Sequence, residues 1–71
     1  MIRTSKNTYI QGNYYIRVKR FSKLLEVFLY ETDSNFKCFS FTYKLLGTYP
    51  GQAEDLINDT IYMYELKKKA L

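Results

Sequence analysis

The sequence predicts an α+β fold: a three-stranded antiparallel sheet packed on one face by a single C-terminal helix. Three observations predict it. Residues Phe36 to Leu45 alternate, with Phe39, Phe41, Tyr43 and Leu45 on one side and Cys38, Ser40, Thr42 and Lys44 on the other. A period of two over this length is a strand with one buried and one open face. Residues 52–69 instead repeat apolar side chains at spacings of three and four, through Ala53, Leu56, Ile57, Thr60, Ile61, Met63, Tyr64 and Lys67. That is the stripe of an amphipathic helix. Between them lies the strongest punctuation in the chain, Gly47-Thr48-Tyr49-Pro50-Gly51.

The elements follow in order. Residues 1–8, MIRTSKNT, have little apolar signal and read as an arm without structure of its own. Tyr9-Ile10 fits a short extra edge strand, closed by the turn signal Gln11-Gly12-Asn13. The first full strand runs from Tyr14 to Phe21. Tyr14, Ile16 and Val18 face the core, and Tyr15, Arg17 and Lys19 face away. Arg20-Phe21-Ser22-Lys23 supplies the turn. The second strand spans Leu24 to Thr32, with Leu25, Val27 and Leu29 inward and Glu26, Phe28 and Tyr30 outward. Asp33-Ser34-Asn35 then closes a hairpin to the third strand, Phe36–Leu46. In the helix, Glu54 and Asp55 stand in the first turn and Lys67 to Lys69 in the last, both complementing the helix dipole.

Residues 1–71 make one small domain, which buries roughly 60% of its unfolded surface and is marginal alone. Its aromatic content of 18%, from Tyr 8 and Phe 5, lets few residues build a core. One cysteine and no histidine leave no internal disulfide and no ligand set for zinc or iron–sulfur. No cofactor, metal site or catalytic residue is expected, since the commonest general base is missing and Cys38 has no histidine to activate it. No apolar run approaches a membrane span and no signal peptide is evident, so we expect an intracellular, cytoplasmic, soluble protein rather than a membrane one.

The charge is unevenly spread. Residues 1–23 carry Arg3, Lys6, Arg17, Lys19, Arg20 and Lys23 and no acid. Residues 47–66 carry Glu54, Asp55, Asp59 and Glu65 and no base. This asymmetry points to a polyanionic partner on the basic side. The sheet face left without a helix would show Tyr15, Arg17, Lys19, Phe28, Tyr30, Ser40, Thr42 and Lys44, flanked by Arg20 and Lys23 in the first turn. Basic groups capture phosphates and aromatics stack on bases. The candidate binding residues are therefore Tyr15, Arg17, Lys19, Arg20, Lys23, Phe28, Tyr30, Thr42 and Lys44. Glu26 and Glu31 on the second strand would interrupt the patch.

Two sets of residues carry a resemblance. Phe28-Leu29-Tyr30, Asp33-Ser34 and Phe39 to Leu46 resemble the N-terminal arm-binding domain of conjugative-transposon integrases. The Leu46-Gly47-Thr48-Tyr49 lead into a helix also resembles plant ethylene-response-factor DNA-binding domains. The resemblance covers about half the chain and implies a three-stranded sheet that enters the major groove of duplex DNA. The chain departs from both families in having few basic residues on its second and third strands. Its small size and Tyr-, Lys-, Asn- and Ile-rich make-up also look like a phage or mobile-element product. That class includes inhibitors that block a host protein, among them anti-CRISPR and other anti-defence proteins. The same aromatic face would then anchor a protein partner, or close a homodimer.

Overall fold

The computed structural model describes residues 1–70. Five strands form one antiparallel sheet in the order of the chain: β1 (Ile2–Ser5), β2 (Thr8–Gln11), β3 (Tyr14–Phe21), β4 (Leu24–Glu31) and β5 (Lys37–Lys44). The helix α1 (Gln52–Lys69) follows. The class is the expected one, but the sheet has five strands rather than three. The segment read as an unstructured arm is β1, and Tyr9-Ile10 lies in β2, an inner strand paired on both sides. β1 escaped notice because all its residues are exposed. A polar edge strand leaves no apolar alternation in the sequence.

Tight turns join the first four strands. Gly12 (φ 58) and Ser22 (φ 57) each take positive φ at the first central position of a two-residue turn. Such turns match the right-handed twist of a hairpin. Because the second turn holds only Ser22-Lys23, Arg20 and Phe21 belong to β3 and not to the turn.

Register then decides which side chains meet the helix. Ile16 pairs with Leu29, and Val18 with Val27. On the other side Leu29 pairs with Phe39, Val27 with Phe41 and Leu25 with Tyr43. Directly opposed residues share a face. Ile16, Leu25, Val27 and Leu29 are fully buried, together with Ile57 of α1. Tyr9 joins this core from β2, where the Arg3 guanidinium lies 5.7 Å from its ring centroid.

The helix begins where the punctuation places it. Gly51 at its N-cap has φ 84, a left-handed conformation that only glycine adopts freely. Gln52 is buried there, and its Nε2 donates to the Gly47 carbonyl at 2.9 Å. Tyr49 Oη donates to Asp55 Oδ2 at 3.0 Å, tying the linker to the first turn.

Tyrosines fasten the helix along its length. Thr60 donates back to the Leu56 carbonyl at 2.7 Å, which leaves its oxygen free to accept from Tyr43 Oη at 2.8 Å. Tyr64 donates to Glu31 at 3.1 Å, and Tyr14 donates to Glu65 at 3.2 Å. Burial, then the neighbouring Glu65 carboxylate, push the Tyr14 hydroxyl up to about 12 from its ordinary 10.0. Burial also raises Tyr64 and Tyr43. The C-terminal lysines are occupied on this side. Lys68 pairs with Glu31 at 3.4 Å, the one ion pair among the described residues, while Lys67 lies over the Phe39 ring.

Two outcomes follow. The folded state holds the Tyr14 proton more tightly than the unfolded chain does, so its contribution to stability is complete below pH 10. Urea midpoints should fall as pH rises from 10 to about 12, and Tyr14→Phe should flatten that fall. Gly51→Ala should cost about 1 kcal/mol or more in urea denaturation, because the new Cβ meets open space but the backbone remains left-handed.

Candidate nucleic-acid interface

One face of the sheet has no helix over it. By register it carries four rows running across the strands. Tyr15, Tyr30 and Lys37 form one, continued by Ile10 and Ile2. Arg17, Phe28 and Ser40 form the next, beside Thr8. Lys19, Glu26 and Thr42 form the third, and Phe21, Leu24 and Lys44 the fourth. The strands are held rigidly at this place because β3 and β4 are both paired on each side.

The structure brings most of the sequence candidates together. Tyr15, Arg17, Lys19, Phe28, Tyr30, Thr42 and Lys44 share this face. Arg20 does not. It stands opposite Leu25, so its Cβ points to the helix side of the sheet. Lys23 lies in the β3–β4 turn at the rim, where its carbonyl accepts from the Leu45 amide at 2.7 Å. Glu31, expected to interrupt the patch, is also on the other face, held by Tyr64 and Lys68. Glu26 is the single carboxylate among the four rows.

Two residues sit where simple alternation does not put them, for one reason. Leu29 pairs with Phe39 but Tyr30 pairs with Lys37, so Cys38 is the extra residue of a β-bulge. The bulge returns Lys37 to the open face, with its ammonium 5.6 Å from the Phe28 ring centroid. It also turns Cys38 toward the helix side, where the thiol contacts the Leu29 carbonyl at 3.4 Å and packs against the core. Cys38 therefore does not belong with Ser40 and Thr42. Sequence reading missed Lys37 because a bulge leaves no mark in composition.

On β3 and β4 the geometry is regular. The Tyr15 and Tyr30 rings lie 6.0 Å apart, tilted by 55°. Phe28 is two residues from Tyr30, about 6.8 Å along the strand. Arg17 and Lys19 repeat that spacing on β3, and both are exposed. Neither makes an ion pair or a side-chain hydrogen bond with another described residue. The aromatic column of β4 is thus flanked by cations on both sides, Arg17 on β3 and Lys37 on β5, with Lys19 and Lys44 further along the same strands.

A shallow groove of about 810 Å³ opens beside this column. The β1–β2 turn forms one wall with Lys6 and Asn7, and Arg17, Lys19, Phe28 and Tyr30 contribute to the rest, which Arg20 also borders. Arg3 braces the turn by donating to the Lys6 carbonyl at 2.7 Å. Lys6 thereby joins the basic face, a position invisible while residues 1–8 read as an arm.

Among the described residues no cluster of three or more His, Cys, Asp or Glu could hold a metal ion. No helix among the described residues is long and apolar enough to cross a membrane. In comparisons with known proteins, no family model, no curated protein and no solved structure matches the chain.

The bulge makes the cysteine a probe of face assignment. Cys38 should react with a thiol-specific disulfide dye much more slowly in the native protein than in urea. A native rate equal to the denatured one would place the thiol on the open face instead.

Proposed function

We propose that this is a nucleic-acid-binding protein that holds its ligand on the open face of the sheet, acting by binding and not by catalysis. One observation carries it: Arg17 and Lys19 on the central strand, with Lys37 and Lys44 across β4, point outward around Tyr15, Phe28 and Tyr30 with no acidic partner engaged. Phosphate capture needs cations whose charge is not neutralised internally, and base contact needs aromatic surface between them. The acids of α1 lie on the opposite side of the molecule, so the sheet face is the basic pole. Lys6 and Lys23 at the rim extend it. A regulatory or accessory role of the phage or mobile-element kind suits so small a binder.

A second reading, an inhibitor or adaptor that binds a host protein, is favoured by the fourth row. Phe21 is 65% exposed beside Leu24, and apolar surface of that sort anchors protein interfaces better than it serves phosphate binding.

Fluorescence anisotropy with labelled DNA and RNA separates the two. Four phosphate contacts imply an affinity that falls roughly 100-fold between about 50 and about 200 mM salt. The double variant Arg17→Glu, Lys19→Glu should abolish binding while leaving the unfolding free energy within about 1 kcal/mol of the parent, since both side chains are exposed and the one new like-charge pair is with Glu26. Unchanged binding in that variant would remove the nucleic-acid reading from this face. Salt-insensitive capture of a host protein, lost on Phe21→Ala, would favour the second reading.

A further inference from the structure

We infer that the ligand of this face is single-stranded nucleic acid rather than duplex, laid along β3 and β4 with bases on Tyr15, Tyr30 and Phe28. The inference rests on the nucleic-acid reading above and narrows it.

Width comes first. The sheet has five strands in one layer. At about 4.8 Å per step its outer strands stand about 19 Å apart. The major groove of B-form DNA is about 12 Å wide and takes a helix or a two-stranded ribbon. β1 and β2 extend the sheet on the β3 side, so the cations of β3 lie at its centre and not on a narrow leading edge. A duplex meeting this face would touch the outer strands first. There β1 and β2 offer Ile2, 66% exposed, and Ile10, and neither strand puts a cation on this face. On that side a phosphate wall would meet a cation only at Lys6 in the turn, while Lys37 and Lys44 stand on β5, so a duplex would be held mainly from one edge.

The chemistry of the centre points the same way. Aromatic rings on a sheet surface are useful to bases whose faces are free, and the bases of a duplex hide those faces in the stack. Tyr15 and Tyr30 offer neighbouring rings 6.0 Å apart, and Phe28 follows along β4. Arg17 and Lys19 run parallel to that column one strand away, and Lys37 borders it from β5. A flexible strand can lay its bases on the column and its phosphates along either basic row. The groove beneath the β1–β2 turn, with Lys6, Arg17 and Phe28 in its lining, can take an unstacked base that a duplex must first break pairing to supply. The hydroxyls of Ser40 and Thr42 sit on the β5 side of the column, within the set that could contact a sugar.

Anisotropy tests this with three labelled probes of about 12 nucleotides, oligo-dT, oligo-U and a blunt mixed-sequence duplex, at about 50 mM salt. The expected result is that at least one single strand binds about tenfold or more tightly than the duplex. Preference for oligo-U over oligo-dT would identify RNA, and the reverse DNA. Phe28→Leu with Tyr30→Leu should weaken the single strand about tenfold or more and leave the duplex unchanged. Should that pair not fold, Tyr15→Leu makes the same test from β3. Duplex binding as tight as or tighter than both single strands overturns the single-strand inference and leaves the nucleic-acid reading standing. Leucine variants that fold and bind single strands like the parent overturn the stacking arrangement. Failure of all three probes to bind removes both.

Discussion

A single helix can cover only one face of a sheet, and that constraint organises this molecule. An α-helix with its side chains is about 10–12 Å across, roughly two strand spacings. α1 sits on β4 and β5, where Leu25, Val27 and Leu29 are fully buried against it with Ile57. Once those side chains are inward, pleating turns Glu26, Phe28 and Tyr30 outward. A slip of one residue would exchange the two sets and expose the whole core. The composition of the open face is therefore locked by the packing beneath it.

The helix side is built to stay closed. Several of its polar groups are matched within the fold: Tyr64 and Lys68 on Glu31, Tyr14 on Glu65, and Tyr43 on Thr60. Lys67 and Lys68, both exposed, lie over the Phe39 and Tyr64 rings. The lysine run at the C-terminus thus has structural employment in addition to complementing the helix dipole. On the open face Arg17 and Lys19 make no ion pair or side-chain hydrogen bond with another described residue, and Lys37 has only the Phe28 ring. The proposed binding role draws on this difference between the two sides more than on net charge.

The core strands and the helix were legible because their signals are strong and local. Alternation in Tyr14–Val18 and Leu25–Leu29 assigned both faces correctly, and Pro50-Gly51 marked the start of α1 at Gln52. What escaped has specific physical causes. β1 is exposed on every residue, so its strand state comes from pairing with β2 and not from any apolar pattern. The bulge at Cys38 breaks the period of two, which put the thiol on the wrong side and hid Lys37. Arg20 and Glu31 were assigned to the patch by proximity in sequence, yet parity carries each to the other face. Most of the candidate site was visible, and its edges were not, because edges depend on register.

The two extra strands matter to the site although they bring few charges to it. In a three-stranded sheet β3 would be an edge, with a row of backbone groups open to pairing by another chain. β2 satisfies that edge through Thr8–Gln11, and β1 then takes the exposed position with polar residues and a bulge of its own. Arg17 therefore stands at the middle of a paired surface, with Thr8 on one side and Phe28 on the other. In the proposed binding role its strand is already held in place, so less ordering would be left to be done on binding. The N-terminal hairpin makes β3 a central strand, and a central strand is what a fixed row of cations requires.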